Sequence, residues 1–162
     1  MADRVYMGVD PGLSGAIALL TGDQMTVFDI PTHTITVNGA RKRHPDLYAL
    51  ARWFDVHGPG VTRAVIEAPH ALPGQGVTSM FNFGFVCGVL QGLVASQLIP
   101  MVLFRPSEWK RALRVSGGPE GKDQARQKAS QCFPAQAHLF ARKMDDGRAE
   151  AALLAWYGRS LG

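Results

Sequence analysis

Hydrophobic and polar residues alternate along the first thirty positions, and this pattern predicts β-strands. Val5, Met7 and Val9 occupy alternate positions in the segment RVYMGVD, which is typical of a strand that ends at Asp10. The segments AIALL and MTVFDI follow, separated by the turns PGLSG and Gly22-Asp23. Links this short join antiparallel neighbours. We therefore expect the first three strands to form an antiparallel meander.

The pattern changes to a helical period in the second part of the chain. Residues 31–44 have no apolar period and are predicted to be a loop, and Pro45 is predicted to open a helix. Strands are predicted for VTRAVIE, which ends in Glu67, and for PMVLF. The other predicted helices run from about Thr78 or Ser79 to Leu98, over PSEWKRAL, from Lys122 to Phe133, and from Asp145 or Asp146 onwards.

This order of elements predicts the fold class. A strand–helix–strand unit is parallel and right-handed in nearly all proteins, so the fourth and fifth strands should extend the meander as parallel strands. The result is a five-stranded mixed sheet flanked by helices, which is the ribonuclease H-like α/β arrangement. With 162 residues, we expect a single domain of this ribonuclease H-like arrangement over residues 1–162.

Composition and charge narrow the classes of protein that fit. Apolar residues make up 46% and charged residues 19%, an ordinary globular mix. The net charge of +4 is mild support for a polyanionic partner. Cys87 and Cys132 resemble small buried side chains of a reducing compartment. With no predicted signal peptide or membrane span, we expect a cytoplasmic protein.

Two acidic residues stand at predicted strand ends. Asp10 closes the first strand and Glu67 closes the fourth. Either one alone would more often be a turn residue or a helix cap. If the two strands are parallel neighbours, however, both carboxylates lie at the carboxyl edge of the sheet, where ligand sites of α/β proteins form.

The segment MDDGRAEAALLAWYG adds more acids at the start of the last helix. Helical positions four apart lie about 6 Å apart on one side, so Asp146 and Glu150 should point the same way. Asp145 is interpreted as the N-cap. The helix macrodipole alone would account for acids in a first turn, but it accounts poorly for Glu150, which lies deeper.

Four carboxylates held close together would repel one another, and divalent cations would compensate them. Ligand sets made only of oxygen suit Mg²⁺ or Mn²⁺. Two such ions roughly 4 Å apart can hydrolyse a phosphodiester by in-line attack. The sequence therefore predicts a two-metal site held by Asp10, Glu67, Asp146 and Glu150.

Four motifs, in the same order along the chain, resemble those of RuvC-type Holliday junction resolvases. They are GVDPGLSGAIAL, VIEAP, SMFNFGFVCG and DDGRAEAALLA, and together they cover nearly the whole chain. RPSEWKRAL and KDQARQKASQCFP look more like the phage and organellar members. The bacterial pattern has its last two ligands three apart and ends in Asp, whereas here Asp146 and Glu150 are four apart, which leaves Asp145 as the alternative ligand.

The resemblance implies a homodimer that binds a four-way DNA junction and nicks two opposed strands symmetrically, leaving 5′-phosphate and 3′-hydroxyl ends. It implies no small-molecule cofactor and no membrane partner, and a location in a bacterial or phage-infected cell or in an organelle with DNA. Lys122 would stabilise charge at the scissile phosphate. DNA contacts are expected from the basic clusters, namely Arg41, Lys42, Arg43, Lys110, Arg111, Arg114, Lys122, Arg126, Arg142 and Lys143.

Two other functions remain open at this point. One is a catalytically silent module that binds branched DNA, although such a protein would gain nothing from acids that repel phosphate. The other is an actin-like sugar or acyl kinase, which is suggested only by GVDPGLSGA; those enzymes need a second domain for nucleotide closure. Single residues also carry plainer readings, since any one basic side chain could simply be a solvated helix face.

Overall fold

The computed structural model describes residues 3–70 and 74–162. Its strands, in chain order, are β1 (Val5–Asp10), β2 (Ala16–Thr21), β3 (Gln24–Asp29), β4 (Thr32–Val37), β5 (Ala40–Pro45), β6 (Val61–Glu67) and β7 (Met101–Phe104). Its α-helices are α1 (Leu47–His57), α2 (Val77–Ser96), α3 (Pro106–Ala112), α4 (Gly118–Cys132) and α5 (Asp146–Ser160). Short 3₁₀ segments, Pro134–Phe140 and Lys143–Asp145, connect α4 to α5.

The main sheet has five strands in the order β3-β2-β1-β6-β7. β1 pairs with β2 and β2 with β3 in antiparallel fashion, whereas β6 is parallel to β1 and β7 is parallel to β6. The predicted mixed α/β sheet is confirmed. Because β3 runs in the same direction as β1, the strands β1, β3, β6 and β7 all end at one edge of the sheet.

The prediction of a loop over residues 31–44 was wrong, because β4 and β5 form a separate antiparallel hairpin there. Its turn is Asn38-Gly39, and both residues have positive φ angles, 51° and 78°, as a two-residue hairpin turn requires. The hairpin is largely exposed on both faces, so it carries no apolar alternation. The first helix consequently begins at Leu47 and not at Pro45, and Asp46 caps it by accepting from the Ala49 amide at 2.9 Å.

The two faces of the sheet carry different helices. One core contains buried residues of α5, α4 and α3 together with residues of β2, and the other contains residues of α1 and α2. Gly8 of β1 allows the close approach of α5, since a Cβ there would lie 2.0 Å from the carbonyl oxygen of Ala151. This contact presses the first turns of α5 against the carboxyl end of β1.

Helix α2 is apolar along its length but buried on one side only. Its buried residues are Val86, Cys87, Leu90 and Val94, and burial raises the pKa of the Cys87 thiol to about 12. By length and composition alone α2 could cross a membrane, which is weak evidence because core helices of soluble proteins meet the same test. Since α2 connects two hydrogen-bonded strands of one sheet, we interpret it as a helix that packs on that sheet.

The opposite side of α2 presents a stripe of glycines. Gly84, Gly88 and Gly92 are exposed, and apart from the neighbouring backbone of α2 itself no described atom lies within 4 Å of where their Cβ atoms would be. A stripe of glycines allows another backbone to approach a helix closely. Here the sheet does not lie against the stripe. Phe81 beside the stripe is 73% exposed, so this side of α2 is an unpartnered apolar face.

Candidate metal centre

Three carboxylates converge at the carboxyl edge of the sheet. One oxygen from each of Asp10, Glu67 and Glu150 lies within 4.8 Å of the other two. Asp10 ends β1, Glu67 ends β6, and Glu150 lies in the second turn of α5. Residues far apart in sequence thus meet because two parallel neighbours end at one level and Gly8 admits the helix. We call these three residues the acidic cluster.

The electrostatics of the acidic cluster follow from its burial. Glu67 is buried, and Asp10 and Glu150 are partly buried. Burial raises the pKa of Asp10 well above its ordinary value, and the negative charges of Glu150 and Glu67 raise it further. Burial and the charge of Glu150 also raise the pKa of Glu67. Ionising all three carboxylates is therefore unfavourable unless a cation is present.

Lys110 supplies a cation inside the cluster. Its ammonium group donates to Oε1 of Glu150 at 2.7 Å, and its side chain is only 15% exposed. The sequence suggested that Lys110 contacts DNA phosphates, but here it faces the acids. Trp109 holds another member, because its indole Nε1 donates to Oε2 of Glu67 at 2.9 Å. Nothing in the spacing of Trp109 along the sequence reveals this carboxylate partner.

The cluster fits a hard divalent cation. Its ligands are all carboxylate oxygens, as Mg²⁺ and Mn²⁺ prefer. Opposite oxygens around Mg²⁺ lie about 4.2 Å apart, so the observed spread of up to 4.8 Å needs only a small inward movement of side chains. The ammonium group of Lys110 beside Glu150 shows that the same place accepts positive charge.

Asp146 lies beside the cluster and is not one of its three members. Its carboxylate pairs with the ammonium group of Lys122 at 2.7 Å, and the resulting hydrogen bond raises the pKa of Lys122. Asp146 still contributes repulsion to Asp10, although less than Glu150 or Glu67 does. Its predicted role as a metal ligand remains a prediction, and so does the predicted role of Lys122 at the scissile phosphate.

Asp145, the alternative ligand, points elsewhere. It is 2% exposed and occupies the N-cap position of α5 without capping it. Its carboxylate accepts instead from the backbone amide and the guanidinium group of Arg142 at 2.8–3.3 Å. Burial works to raise the pKa of Asp145, but these hydrogen bonds outweigh it and the net pKa is lowered. Asp145 therefore binds and orients Arg142.

The predicted DNA-contacting residues fall into two groups. Arg41, Lys42, Arg111, Arg114 and Lys143 are exposed, and no hydrogen bond or ion pair ties their side chains to the described part of the chain. Internal partners engage the others. Arg43 donates to Ser14 Oγ at 3.2 Å and to the Leu13 carbonyl, and Arg126 pairs with Asp123 at 2.5 Å.

The loop after Glu67 lies only partly within the described residues. His70 lines a cavity of about 610 Å³ together with Glu67, Lys110 and Arg111. Leu72 of this loop, for which the sequence allows either local packing or insertion against a DNA base, lies outside the described residues.

Comparison with solved structures supports the fold. No family model matches the sequence, and no curated protein matches it. Among solved structures, the chain is similar to Thermus thermophilus RuvC in complex with a Holliday junction substrate, with 13% identical residues, a TM-score of 0.58 and coverage of 97% of this chain and 96% of that one. A second Thermus thermophilus RuvC structure gives 14% identity, a TM-score of 0.52 and the same coverage.

At this identity the similarity establishes architecture. The phage and organellar branch suggested by the sequence remains a prediction. The chain has a RuvC-like, ribonuclease H-like fold along 97% of its length, with the acidic cluster at the carboxyl edge of its sheet.

Proposed function

We propose that this protein is a metal-dependent endonuclease that resolves four-way DNA junctions by paired symmetric nicking. The observation that carries the proposal is the convergence of Asp10, Glu67 and Glu150 within 4.8 Å on a RuvC-like fold. A similar structure was solved with a Holliday junction substrate, which supports branched DNA as the substrate class. We propose 5′-phosphate and 3′-hydroxyl products.

The acidic cluster would hold Mg²⁺, with Mn²⁺ as a substitute and two ions per site. The chemistry that such ions supply is activation of water and neutralisation of charge on the leaving oxygen. The protein's own part is to orient the ligands. Trp109 keeps the Glu67 carboxylate in place, and Asp146 would complete the ligand set once it releases Lys122, whose ammonium group then stays near to meet phosphate charge.

Lys110 has to change partner for this site to load. Its ammonium group pairs with Glu150 at 2.7 Å, which reduces the repulsion among the carboxylates when no metal is bound. Replacement by a divalent cation would free Lys110 to contact the phosphate backbone, as the sequence suggested. The same contact favours a second candidate, a catalytically silent branched-DNA-binding module in which Lys110 permanently neutralises the cluster.

The test is incubation of the purified protein with a labelled mobile four-way junction and a linear duplex of equal length, with Mg²⁺, with Mn²⁺ and with EDTA. We expect paired nicks in the junction only, ligatable ends, and no cleavage in EDTA. Junction binding without cleavage in either metal would establish the silent module, and equal cleavage of the linear duplex would refute junction selectivity.

We propose a homodimer formed through the glycine face of α2. The stripe Gly84, Gly88 and Gly92 beside Phe81 permits close helix approach, and a second copy of α2 offers the same apolar surface in return, as a twofold interface requires. Two equal sites would give paired cuts. Gly88→Arg should convert the dimer to a monomer in light scattering, whereas Asp23→Arg, at a fully exposed position in the turn after β2, should not; a monomeric wild-type chain would exclude this interface.

We propose that the exposed members of the predicted DNA-contacting set bind DNA, foremost Arg41 and Lys42 near the tip of the hairpin. The hairpin leaves β3 at the edge that carries the acidic cluster, because Asp10 pairs with Ala16 and Ala16 pairs with Asp29. Its six-residue strands reach about 20 Å. It could therefore contact an arm of the junction outside the cleaved crossover.

Salt dependence tests the hairpin contact. The double variant Arg41→Gln/Lys42→Gln should lower the slope of log K against log salt by up to about 2. Arg4→Gln is the matched control, because Arg4 precedes β1 at the opposite edge of the sheet, and its slope should not change. An unchanged slope in the double variant would refute the contact. We also propose a cytoplasmic or organellar location, which imaging of a tagged chain would test.

A further inference from the structure

Three arginines meet at a cavity beside the acidic cluster. The cavity has a volume of about 190 Å³. Its lining includes Arg43 of the hairpin, Arg142 before α5, Arg148 in the first turns of α5, and Ser14 and Gly15 of the loop after β1. Three separate parts of the chain thus bring guanidinium groups to one place, which we call the arginine cavity.

Each guanidinium group is held by a fixed partner. Arg148 donates from Nε and Nη2 to both oxygens of Asp29, at 2.7 and 2.6 Å. Arg142 donates from Nε and Nη2 to the buried Asp145 at 2.8–3.3 Å. Arg43 is held by Ser14 and by the Leu13 carbonyl. These hydrogen bonds orient the arginines in advance, which lowers the side-chain entropy lost on binding.

Each guanidinium group also keeps a nitrogen without a hydrogen-bond acceptor in the described part of the chain. For Arg142 this nitrogen is Nη1, and for Arg43 it is Nε. Nη1 of Arg148 faces Asp145 at 3.9 Å, beyond hydrogen-bond distance. Three guanidinium charges stand against the two carboxylates of Asp29 and Asp145, so the cavity has an excess of one positive charge and spare N–H donors.

The arginine cavity shares its wall with the metal centre. Ser14 lies in the loop that follows Asp10, and a Cβ on Gly147 would meet both the Ser14 carbonyl oxygen at 2.5 Å and Asp10 Oδ2 at 3.0 Å. Asp29, which holds Arg148, lies two strands from Asp10 in register, or about 10 Å at the usual strand spacing. A DNA strand that placed one phosphate at the acidic cluster would place neighbouring phosphates over the arginine cavity.

We propose that the arginine cavity binds a backbone phosphate next to the scissile one and so sets which phosphodiester enters the metal centre. This inference rests on the proposed nuclease function. Guanidinium groups hydrogen-bond phosphate oxygens in pairs, and a fixed guanidinium does so with defined geometry. Arg148 and Arg142 are positioning residues here, since they would register the strand without touching the reacting atoms.

A scan of neutral phosphates tests the proposal. A set of four-way junctions is prepared, and each junction carries a single methylphosphonate. The substituted position moves through the four phosphates on either side of the cut. Their affinities are measured for Asp10→Asn protein, which leaves the junction uncut, and for the same protein with Arg148→Gln or Arg142→Gln. Arg159→Gln is the matched control, because Arg159 lies at the opposite end of α5 and binds the Gly22 carbonyl at 2.8 Å.

We expect one methylphosphonate position to weaken binding about tenfold with the Asp10→Asn protein and the Arg159→Gln control, but less than twofold once Arg148 or Arg142 is replaced. Equal weakening in all four proteins would overturn the arginine cavity as a phosphate site. Cleavage of the unmodified junction is measured separately with otherwise wild-type protein. Suppose the wild-type protein does not cleave the junction, but the methylphosphonate effect still disappears when Arg148 or Arg142 is replaced. That result would refute the nuclease function and leave the phosphate site standing.

A second measurement separates positioning from folding. With Mg²⁺ and otherwise wild-type Asp10, Arg148→Gln should shift cleavage to neighbouring phosphodiesters as well as slow it, which sequencing-gel mapping of the products would reveal. Cuts at unchanged positions would contradict the proposed register, whatever their rate.

Discussion

The charge balance of the acidic cluster makes Asp10→Asn a stabilising substitution when no metal is bound. Two unit charges at the outer limit of 4.8 Å repel by about 3.5 kcal/mol at an effective dielectric constant of 20. Asp10 repels both Glu67 and Glu150, while Lys110 attracts it. We therefore expect a net gain of about 2 kcal/mol at pH 8 in EDTA, or roughly 4–8 °C in Tm.

The sign of the pH dependence follows from the raised pKa values. Folding raises the pKa of Asp10 and Glu67, so the folded metal-free protein binds more protons than the unfolded chain, and its stability falls as pH rises above about 4 through the raised values. The advantage of Asp10→Asn should accordingly be smaller at pH 5 than at pH 8. Thermal unfolding in EDTA at both pH values measures this.

We expect Mg²⁺ to make the wild type more stable than Asp10→Asn. A ligand at 100 times its Kd stabilises a protein by about 2.7 kcal/mol, so saturating Mg²⁺ should raise the Tm of the wild type and have little effect on Asp10→Asn. Asp23→Asn is the control, because the Asp23 side chain is fully exposed. This variant should have the Tm of the wild type both in EDTA and in Mg²⁺. If Asp10→Asn unfolds at a lower temperature than the wild type in EDTA at pH 8, the repulsion argument is wrong.

Three further substitutions test how the site is built. Trp109→Phe removes the hydrogen bond that lowers the pKa of Glu67, so the affinity for Mg²⁺ should fall about tenfold, as a cleavage titration would show; an unchanged affinity would remove Trp109 from the site. Gly8→Ala should cost about 3 kcal/mol in chemical denaturation and also abolish cleavage, because α5 cannot approach β1; full activity would mean that α5 tolerates displacement. Asp145→Asn should lower the Tm more than Asp146→Asn, because Asp145 is buried, whereas Asp146→Asn should slow cleavage more per folded molecule. The opposite order of cleavage rates would make Asp145 the ligand.

The positions of Asp10, Glu67 and Glu150 could be predicted from the sequence because topology determines them. A residue at the end of a strand stays at the sheet edge whatever its rotamer, so the strand order alone brings Asp10 and Glu67 together. Glu150 needed only the helical period and a polar position in an apolar helix. Backbone-level reasoning therefore located the acidic cluster.

The hairpin escaped prediction for a physical reason. Strands reveal themselves through one buried face, and both faces of β4 and β5 are largely solvated. Threonines alternate at Thr32, Thr34 and Thr36, and Asn38-Gly39 is a strong hairpin turn. Those two signals were sufficient to indicate a hairpin, but a search for apolar alternation passes over them.

Side-chain partners also lay beyond the sequence. Lys110 pairs with Glu150, forty positions away, and Arg148 pairs with Asp29, 119 positions away. Both pairs depend on how α3 and α5 are rotated about their axes, which core packing sets. A basic residue on a short helix reads as a phosphate contact until that rotation is known.

The three acids at the start of the last helix therefore do different work in a chain with a net charge of +4. Of the three, Glu150 lies in the acidic cluster, one turn deeper in α5 than Asp146. Asp145, buried behind the helix start, holds Arg142 toward the arginine cavity, and Asp146 holds Lys122 on the other side. Each carboxylate thus keeps a cation within reach of the cluster while offsetting its charge, so the edge at which we propose metal binding is flanked by cationic groups that complement phosphate.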